Sequence, residues 1–362
     1  MTAALLKTKS RRIGVIGAGQ LAQMLVPAAH RLNLELWVQT ANPQDPAAQV
    51  ADHVVSGIPE LVTACDLVTF ENEFVDLTYL QSLDPSKFYP RLGSLAPLLD
   101  KYHQRCFLQE LGIPVPDFSL ELPPWPLPWV WKRRRHGYDG QGTRILTRPE
   151  TWDREQGMVE RYIPFERELA TLVARSLTGE VVHYPVVETV QINQVCDHVI
   201  APALIPTNLQ EQIQQISYTL IEALEWVGIL AIELFLTQEQ QLLVNELAPR
   251  THNSGHYSLD ACLTSQFEQH LRAITGLPLG SADLTCGAAL MVNLLGWETS
   301  TSSYEQERQA LGSLPRTFVH WYGKGESRPG RKLGHVTCLL EDRAEVAPTL
   351  ARVRQLWSPR AG

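Results

Sequence analysis

Two glutamates in "GILAIELFLTQEQQLLVNELAPR" (residues 228–250) offer the first chemistry. The stretch reads as strand, turn and strand, and a turn centred between Glu239 and Gln240 sets position 233 opposite position 246. Glu233 and Glu246 then face each other on one rung of the hairpin with Cβ atoms about 5 Å apart, where like charges destabilise a sheet. A hard divalent cation held by carboxylate oxygens, its shell completed by phosphates, removes that repulsion. Mg2+ is the ordinary choice and Mn2+ a workable substitute. In strict alternation Ala231, Glu233 and Phe235 share a face with Leu242, Val244 and Glu246, and Asn245 points to the other side. A slipped register that carries both glutamates into water is the competing reading.

Three other stretches supply anion chemistry. In "KRRRHGYDGQGT" (132–143) the glycines at 137, 140 and 142 let the backbone wrap anionic oxygens, and Lys132 on the preceding strand adds a point charge for a phosphate. Cover for a triphosphate is the functional reading; an ordinary hairpin tip beside a solvated basic edge is the plain one. "NELAPRTHNSGH" (245–256) crowds Arg250, His252, Asn253 and His256 into a loop directly after the second glutamate. That density suits an anion pocket, although a single histidine such as His256 is more often structural. Farther on, Lys324 with Arg331 and Lys332 forms a basic cluster fit either for a sugar phosphate or for water alone.

Near the start, "GVIGAGQLAQML" (14–25) joins an apolar run to a helix through a glycine turn, the geometry that presents backbone amides to a phosphate. A nicotinamide site also needs a carboxylate at the end of the second strand. Here that strand, 34–38, ends in Gln39 and Thr40, and the first acid is Asp45 beyond Pro43. A dinucleotide-dependent oxidoreductase keeps only half of its signature, and a phosphate-friendly turn is what remains.

These groups need a framework. Residues 13–16, 34–38, 53–55 and 67–70 read as parallel-type strands and 20–32 as the clearest helix, so a small α/β domain is expected up to about residue 99. A helix from Asp100 to Leu111, stopped at Gly112, should follow the boundary. "LPPWPLPW" (122–129), with four prolines, reads as a braced connection. Residues 129–132 and 143–146 read as the hairpin around the glycine loop, and 209–225 as an amphipathic helix.

With 362 residues, 44% of them hydrophobic, the chain has material for two or three domains. A formal charge of -8, from Lys+Arg 31 against Asp+Glu 39, gives no general attraction to nucleic acid, so any anion site is local. Cysteines at 65, 106, 196, 262, 286 and 338 form no C-x-x-C pair and read as reduced, mostly buried thiols. No window offers about 18 uninterrupted apolar residues, and the first residues lack a signal-peptide core. A soluble, cytoplasmic protein with neither a membrane nor a nucleic-acid partner is expected.

Taken in order, "VWKRRRHGYDGQGT", "VERYIPFERE", "AIELF", "VNELAPRTHNSGH", "SQFEQHLRAITGLPL" and "GRKLGH" closely resemble the N5-carboxyaminoimidazole ribonucleotide synthetases, the ATPase subunit of phosphoribosylaminoimidazole carboxylase, in the ATP-grasp superfamily. The similarity runs from "GAGQL" to about residue 337, and "GYDGQG" and "NELAPRTHNSGH" are its specific parts. It implies a mixed α/β and α+β chain: a Rossmann-like pre-ATP-grasp domain over 1–99, an ATP-grasp domain over 100–290 with a lid at about 115–175, and a small C-terminal domain over 291–362. ATP contacts are implied for Lys101, Lys132, Gly137, Tyr138, Asp139, Gly140, Gln141, Gly142 and Thr143, for Glu160, Arg161, Tyr162 and Ile163 as the adenine hinge, for Glu168 toward the ribose, and for Gln191, Asn245 and Glu246. Glu233 and Glu246 match the family's metal ligands, in agreement with the hairpin spacing.

The implied reaction phosphorylates bicarbonate with ATP to carboxyphosphate, then carboxylates the exocyclic amine of 5-aminoimidazole ribonucleotide and releases ADP and phosphate. Arg250 and His252 would orient bicarbonate and steady the phosphoryl transition state, while Gln20, Leu21, Glu73, Asn253, Lys324, Arg331 and Lys332 would form the ribonucleotide site. A homodimer is implied too. Two departures stand out: Lys101 replaces the family's usual arginine after Asp100, and "TFENEFVD" sets Asn72 between Glu71 and Glu73. The nearest rival is the ATP-grasp formyltransferase that uses formate on glycinamide ribonucleotide; its loop resembles "APRPHDTG" where this chain has "APRTHNSG". A non-catalytic nucleotide-binding regulator is a third reading, weakened by the full set of charged residues.

Overall fold

The chain opens with four parallel strands, β1 (Arg12–Ile16), β2 (Glu35–Gln39), β3 (His53–Val55) and β4 (Leu67–Phe70), in the order β3-β2-β1-β4. The computed structural model describes residues 11–137, 142–148, 152, 153 and 155–357. Ile13, Val15, Leu36, Val38 and Val68 are fully buried, as parallel strands under helical cover require. The helix Gln20–Arg31 presents Leu21, Met24, Leu25 and Ala28 inward at helical spacing. These elements fall within one residue of the bounds expected from periodicity.

A second sheet, antiparallel, holds β5 (Phe118–Ser119), β6 (Trp129–Arg133), β7 (Thr143–Leu146) and β8 (Gly157–Arg161) in the order β5-β8-β6-β7. The expected hairpin is β6 with β7, Lys132 standing opposite Thr143. Trp129, Trp131, Leu146, Trp152 and Val159 fill its small core, and Trp125 of the proline stretch leans against them.

Nine strands form the largest sheet: β9 (Phe165–Arg175), β10 (Val181–His183), β11 (Val187–Ile192), β12 (Val195–Ala201), β13 (Gly228–Thr237), β14 (Leu242–Ala248), β15 (Ala288–Leu295), β16 (Thr317–Trp321) and β17 (Lys332–Leu340). Their order is β14-β13-β9-β11-β12-β15-β17-β16, with β10 beside β9. Residues 165–175, inside the stretch expected as the lid, run here because β9 pairs with β13 along nearly its whole length. Residue 290 lies within β15, which bonds β12 on one side and β17 on the other, so the sheet continues unbroken through that position.

The first and largest sheets are locked together by the helix Gln266–Thr275. Its Phe267, Leu271 and Ile274 share one buried cluster with Leu21, Met24 and Leu25 of the first helix, each fully buried leucine contributing about 1.5–3 kcal/mol. On the same helix His270 takes the Ile229 N–H on Nδ1 (3.2 Å), which leaves Nε2 to donate to Thr69 Oγ1 at 2.8 Å. Burial pushes this imidazole down to about 4. Gly228 makes room for it: a Cβ there would stand 2.9 Å from the ring, and φ is +117°.

The helix expected at 100–111 is Lys101–Glu110, with Asp100 as its N-cap accepting from Tyr102 N at 2.9 Å and Gly112 ending it at φ +68°. The amphipathic helix expected at 209–225 is Thr207–Ala223. All six cysteines are free, three buried and three half-buried. Among the described residues, no helix is long and apolar enough to cross a membrane.

Candidate active site

The ladder pairs Glu233 with Glu246, as the turn position requires. Nearer the turn it shifts by one residue: Leu234 faces Val244 and Leu236 faces Leu242. This bulge reverses two expectations drawn from strict alternation. Leu242 and Val244 join Leu234 and Leu236 in the core, away from the acidic face. Asn245 instead turns to the acidic side, where Oδ1 accepts from Lys132 Nζ at 2.8 Å and Nδ2 lies 3.5 Å from Glu233 Oε2. The cause lies outside the hairpin, on the free edge of β14. Val244 N–H donates to the Pro114 carbonyl (2.8 Å), Arg105 Nη2 to the Asn245 carbonyl (2.5 Å), and the Gln104 amide bonds both backbone groups of Leu247.

The helix Lys101–Glu110 makes most of these edge contacts, and Lys101, Gln104 and Arg105 lie on one face of it at spacings of three and four. Lys101 Nζ sits 2.5 Å from Glu246 Oε2. Arg105 grips one oxygen of Glu160 at 2.7 Å while Lys132 grips the other at 2.8 Å, and Glu160 and Arg105 are each 2% exposed. Burial opposes ionisation of Glu160, but the two cations hold its carboxyl below the usual range. Burial also pulls the Lys132 ammonium down, and Glu160 opposes that pull. Sequence reasoning placed Glu160 at the hinge and missed Arg105; the four-residue spacing from Lys101 was the available signal.

Asp100 holds Arg134 at 2.8 Å and Arg135 at 3.3 Å, and Lys101 N–H donates to the Arg134 carbonyl, so the root of the glycine loop is tied to this helix. Gly137 and Gly142 flank the loop, Gly142 at φ +98°; Tyr138, Asp139, Gly140 and Gln141 lie outside the described residues. Glu73, Lys101, Gly137 and Glu246 line one narrow cleft. Of the hinge residues, Arg161 points outward to Asp117 (3.3 Å) and Tyr162 is exposed, while the Ile163 carbonyl accepts from Phe165 N. Glu168 stands on β9 and Gln191 on β11; among the described residues Glu168 Oε2 is buried with no partner, and burial pushes the carboxyl up to about 7, the Gln191 side chain pulling the other way.

After β14, Arg250 meets Glu73 in a two-pronged contact, Nε at 2.6 Å and Nη2 at 3.2 Å, and Nη1 bonds the Thr251 carbonyl. Among the described residues three of its five N–H donors are used, which leaves two for a ligand. Burial alone would raise the Glu73 carboxyl, yet Arg250 holds it low. His252 Nδ1 meets Ser254 Oγ and N at 2.9 and 3.3 Å, so the ring proton belongs on Nε2, 3.2 Å from Glu233 Oε1. Burial, helped by Arg250 and Lys332, pushes this histidine down to about 3, and it works as a neutral donor.

The N-terminal turn carries a correction. Two of its amides are already occupied: Glu71 Oε2 accepts from Gly19 N (2.5 Å) and Oε1 from Leu21 N (3.1 Å), so the turn does not offer these two donors to a phosphate. Gln20 and Leu21 start the helix directly above this carboxylate. Asn253 exchanges two 2.9 Å bonds with Asn293. Lys332 is buried at the start of β17, and its carbonyl accepts from Lys324 Nζ at 2.8 Å; Arg331 bonds the Glu326 carbonyl on the outer loop. His256, by contrast, is a buried structural histidine bonded to Gln266.

The donor set around Glu233 fits a hard divalent cation. Burial and the Glu246 charge push Glu233 up to about 7, a cost that a cation between the carboxylates would remove. Among the described residues no cluster of three or more His, Cys, Asp or Glu side chains forms a complete cage, so substrate oxygens would finish the shell, as is usual for Mg2+.

Three family descriptions match successive parts of the chain: a ribonucleotide synthetase preATP-grasp domain over residues 10–96, an ATP-grasp domain over 107–267, and a phosphoribosylaminoimidazole carboxylase C-terminal domain over 289–349. An N5-carboxyaminoimidazole ribonucleotide synthase of Synechocystis sp. is 52% identical, with 98% of this chain and 100% of that protein covered. The N5-carboxyaminoimidazole ribonucleotide synthetase of Thermotoga maritima superposes with a TM-score of 0.85 at 37% identity, covering 96% of this chain and 98% of that one. The Aspergillus clavatus N5-carboxyaminoimidazole synthase, solved with ADP and 5-aminoimidazole ribonucleotide, gives 0.86 at 30% identity, with 96% and 98% covered. With its Rossmann-like sheet, ATP-grasp unit and C-terminal part in the same order, the chain belongs to the N5-carboxyaminoimidazole ribonucleotide synthase family.

Proposed function

We propose that this protein couples ATP cleavage to the carboxylation of 5-aminoimidazole ribonucleotide by bicarbonate, giving N5-carboxyaminoimidazole ribonucleotide in purine biosynthesis. The observation that carries the reading is the convergence of Lys101, Lys132, Asn245 and the Glu233–Glu246 pair beside the Arg250–Glu73 contact. Cations for a triphosphate and a positioned guanidinium for a second anion then share one cleft.

In this reading ATP lies between the second and the largest sheets, with its phosphates on Lys101, Lys132 and the 137–143 loop, its adenine along the backbone of 160–163, and its ribose toward Glu168 and Gln191. Mg2+, or Mn2+, would be held by Glu233 and Glu246 with the phosphates, and when bound it would neutralise charge on the phosphoryl oxygens. The neutral His252 Nε2–H, 3.2 Å from Glu233 Oε1, would be shared with the substrate once that carboxylate holds the metal, and the two spare donors of Arg250 orient bicarbonate. Its oxygen attacks the γ-phosphorus, a P–O bond forms as the bond to ADP breaks, and carboxyphosphate results. The exocyclic amine then attacks the carboxyl carbon, phosphate leaves, and the amine loses a proton. Positioning and charge neutralisation provide the acceleration. The ribonucleotide would meet Gln20, Leu21, Glu73 and Asn253, with its phosphate toward Lys324, Arg331 and Lys332. A cytoplasmic homodimer is part of the proposal.

ADP release measured with Mg-ATP tests it. Stimulation is expected only when aminoimidazole ribonucleotide and bicarbonate are both present. Absence of that stimulation, or stimulation by formate with glycinamide ribonucleotide instead, overturns the reading.

A further inference from the structure

The glycine turn contains a feature that the reaction outlined above does not use. The helix Gln20–Arg31 has Gly19 as its N-cap, with no side-chain cap and no acid in its first turn. Its open amides are served from another strand. Glu71 directly follows β4, whose Phe70 pairs with Ile16 of β1, and Glu71 N–H donates to the Ile16 carbonyl at 3.0 Å. From there its carboxylate reaches under the turn to Gly19 and Leu21. The glycines are shaped around it: a Cβ at Gly17 would stand 2.7 Å from Oε2 and one at Gly19 would collide with Oε1. Glu71 itself is 9% exposed, and its carboxylate fills the space beneath the two glycines. Two residues on, Glu73 grips Arg250.

We infer that Glu71 is a positioning residue for the ribonucleotide site: a helix cap supplied from a neighbouring strand, which fixes the Gln20–Leu21 backbone and the Glu73–Arg250 contact as one unit. The carboxylate takes the place that an external phosphate holds in other glycine turns of this shape, and the anion chemistry of the turn becomes internal scaffolding. The Arg250 charge also favours the ionised form of Glu71, though less than burial and the backbone amides count there, while the direct contact of the guanidinium is with Glu73. Burial raises the Glu71 carboxyl, and the amides of Gly19, Ala22 and Leu21 oppose that.

The inference rests on the proposed function, and wild-type turnover with aminoimidazole ribonucleotide and bicarbonate tests that part first; if it is absent, the functional reading has failed before any variant is compared. With it present, Glu71→Ala should raise the KM for the ribonucleotide on the order of tenfold or more, the loss expected for a charge-assisted hydrogen-bond pair, while the KM for ATP stays within about twofold. Added acetate should restore the ribonucleotide KM saturably, and acetamide should not, because only an anion replaces the cap. An unchanged ribonucleotide KM, an equal rise in both KM values, or equal rescue by acetate and acetamide overturns the inference. If Glu71→Ala does not fold, the isosteric Glu71→Gln supplies the same comparison of the two KM values: a selective rise for the ribonucleotide supports the inference and an equal or absent rise overturns it.

Discussion

Replacing Glu160 by glutamine removes the charge that two buried cations share. Each contact, 2.7 Å to Arg105 and 2.8 Å to Lys132, amounts to about 6 kcal/mol of Coulomb attraction at an effective dielectric constant of about 20. The variant is also relieved of the burial cost of the carboxylate itself, several kcal/mol, so the net loss should be about 3–5 kcal/mol. The effect reaches ATP through Lys132. Burial already lowers its pKa, and Lys101 and Arg105 lower it further once Glu160 is neutral. A share of Lys132 then loses its proton near neutral pH, and the KM for ATP should rise and improve again as pH is lowered. Because the folded Glu160 carboxyl lies below its ordinary value of 4.5, the wild-type advantage is complete above that pH and shrinks only in acid. Chemical denaturation at pH 7 and the KM for ATP at pH 6 and 8 provide the measurements. A Glu160→Gln protein within about 0.5 kcal/mol of wild type, or with a pH-independent wild-type KM for ATP, would refute the account of the triad.

Three other outcomes are expected. Glu246→Gln should raise the Mg2+ concentration for half-maximal activity by about 10- to 100-fold, read from a metal titration of ADP release; an unshifted titration removes Glu246 from the metal site. Arg250→Lys keeps the charge but loses the fork on Glu73, and kcat for ribonucleotide-dependent ADP release should fall on the order of a hundredfold at an unchanged KM for ATP; a wild-type kcat contradicts the positioning role. His270 has a folded pKa of about 4 against 6.5 unfolded, so its stabilising part is complete above pH 6.5 and is lost as pH falls toward 4, at about 1.4 kcal/mol per pH unit. His270→Asn should flatten that part of the stability curve, and an unchanged slope in denaturation midpoints between pH 6.5 and 4 would exclude His270 as its source.

Much of the framework is legible in local pattern. The strands at 12–16, 35–39, 53–55 and 67–70 follow from short apolar runs, and the cap at Asp100 and the stop at Gly112 from residue type alone. The Glu233–Glu246 rung was legible because a hairpin register depends on where its turn lies. Asn245 was not, because the bulge that turns it toward Glu233 comes with a helix and Pro114 holding the outer edge of β14, and alternation within two strands carries no record of a third partner.

The amino-acid sequence by itself determined which chemistry was within reach: facing carboxylates, a glycine loop beside a lysine, an arginine and a histidine just past the second glutamate, and a chain order shared with the carboxyaminoimidazole ribonucleotide synthases. Only the tertiary structure decided which charges are spent internally. Glu160 balances Arg105 and Lys132, Glu73 holds Arg250, and Glu71 caps a helix whose glycine turn looked open to phosphate. Periodicity acts over a few residues, whereas these partners lie tens to hundreds of residues apart, and each buried charge takes its partner from whichever segment the fold brings against it.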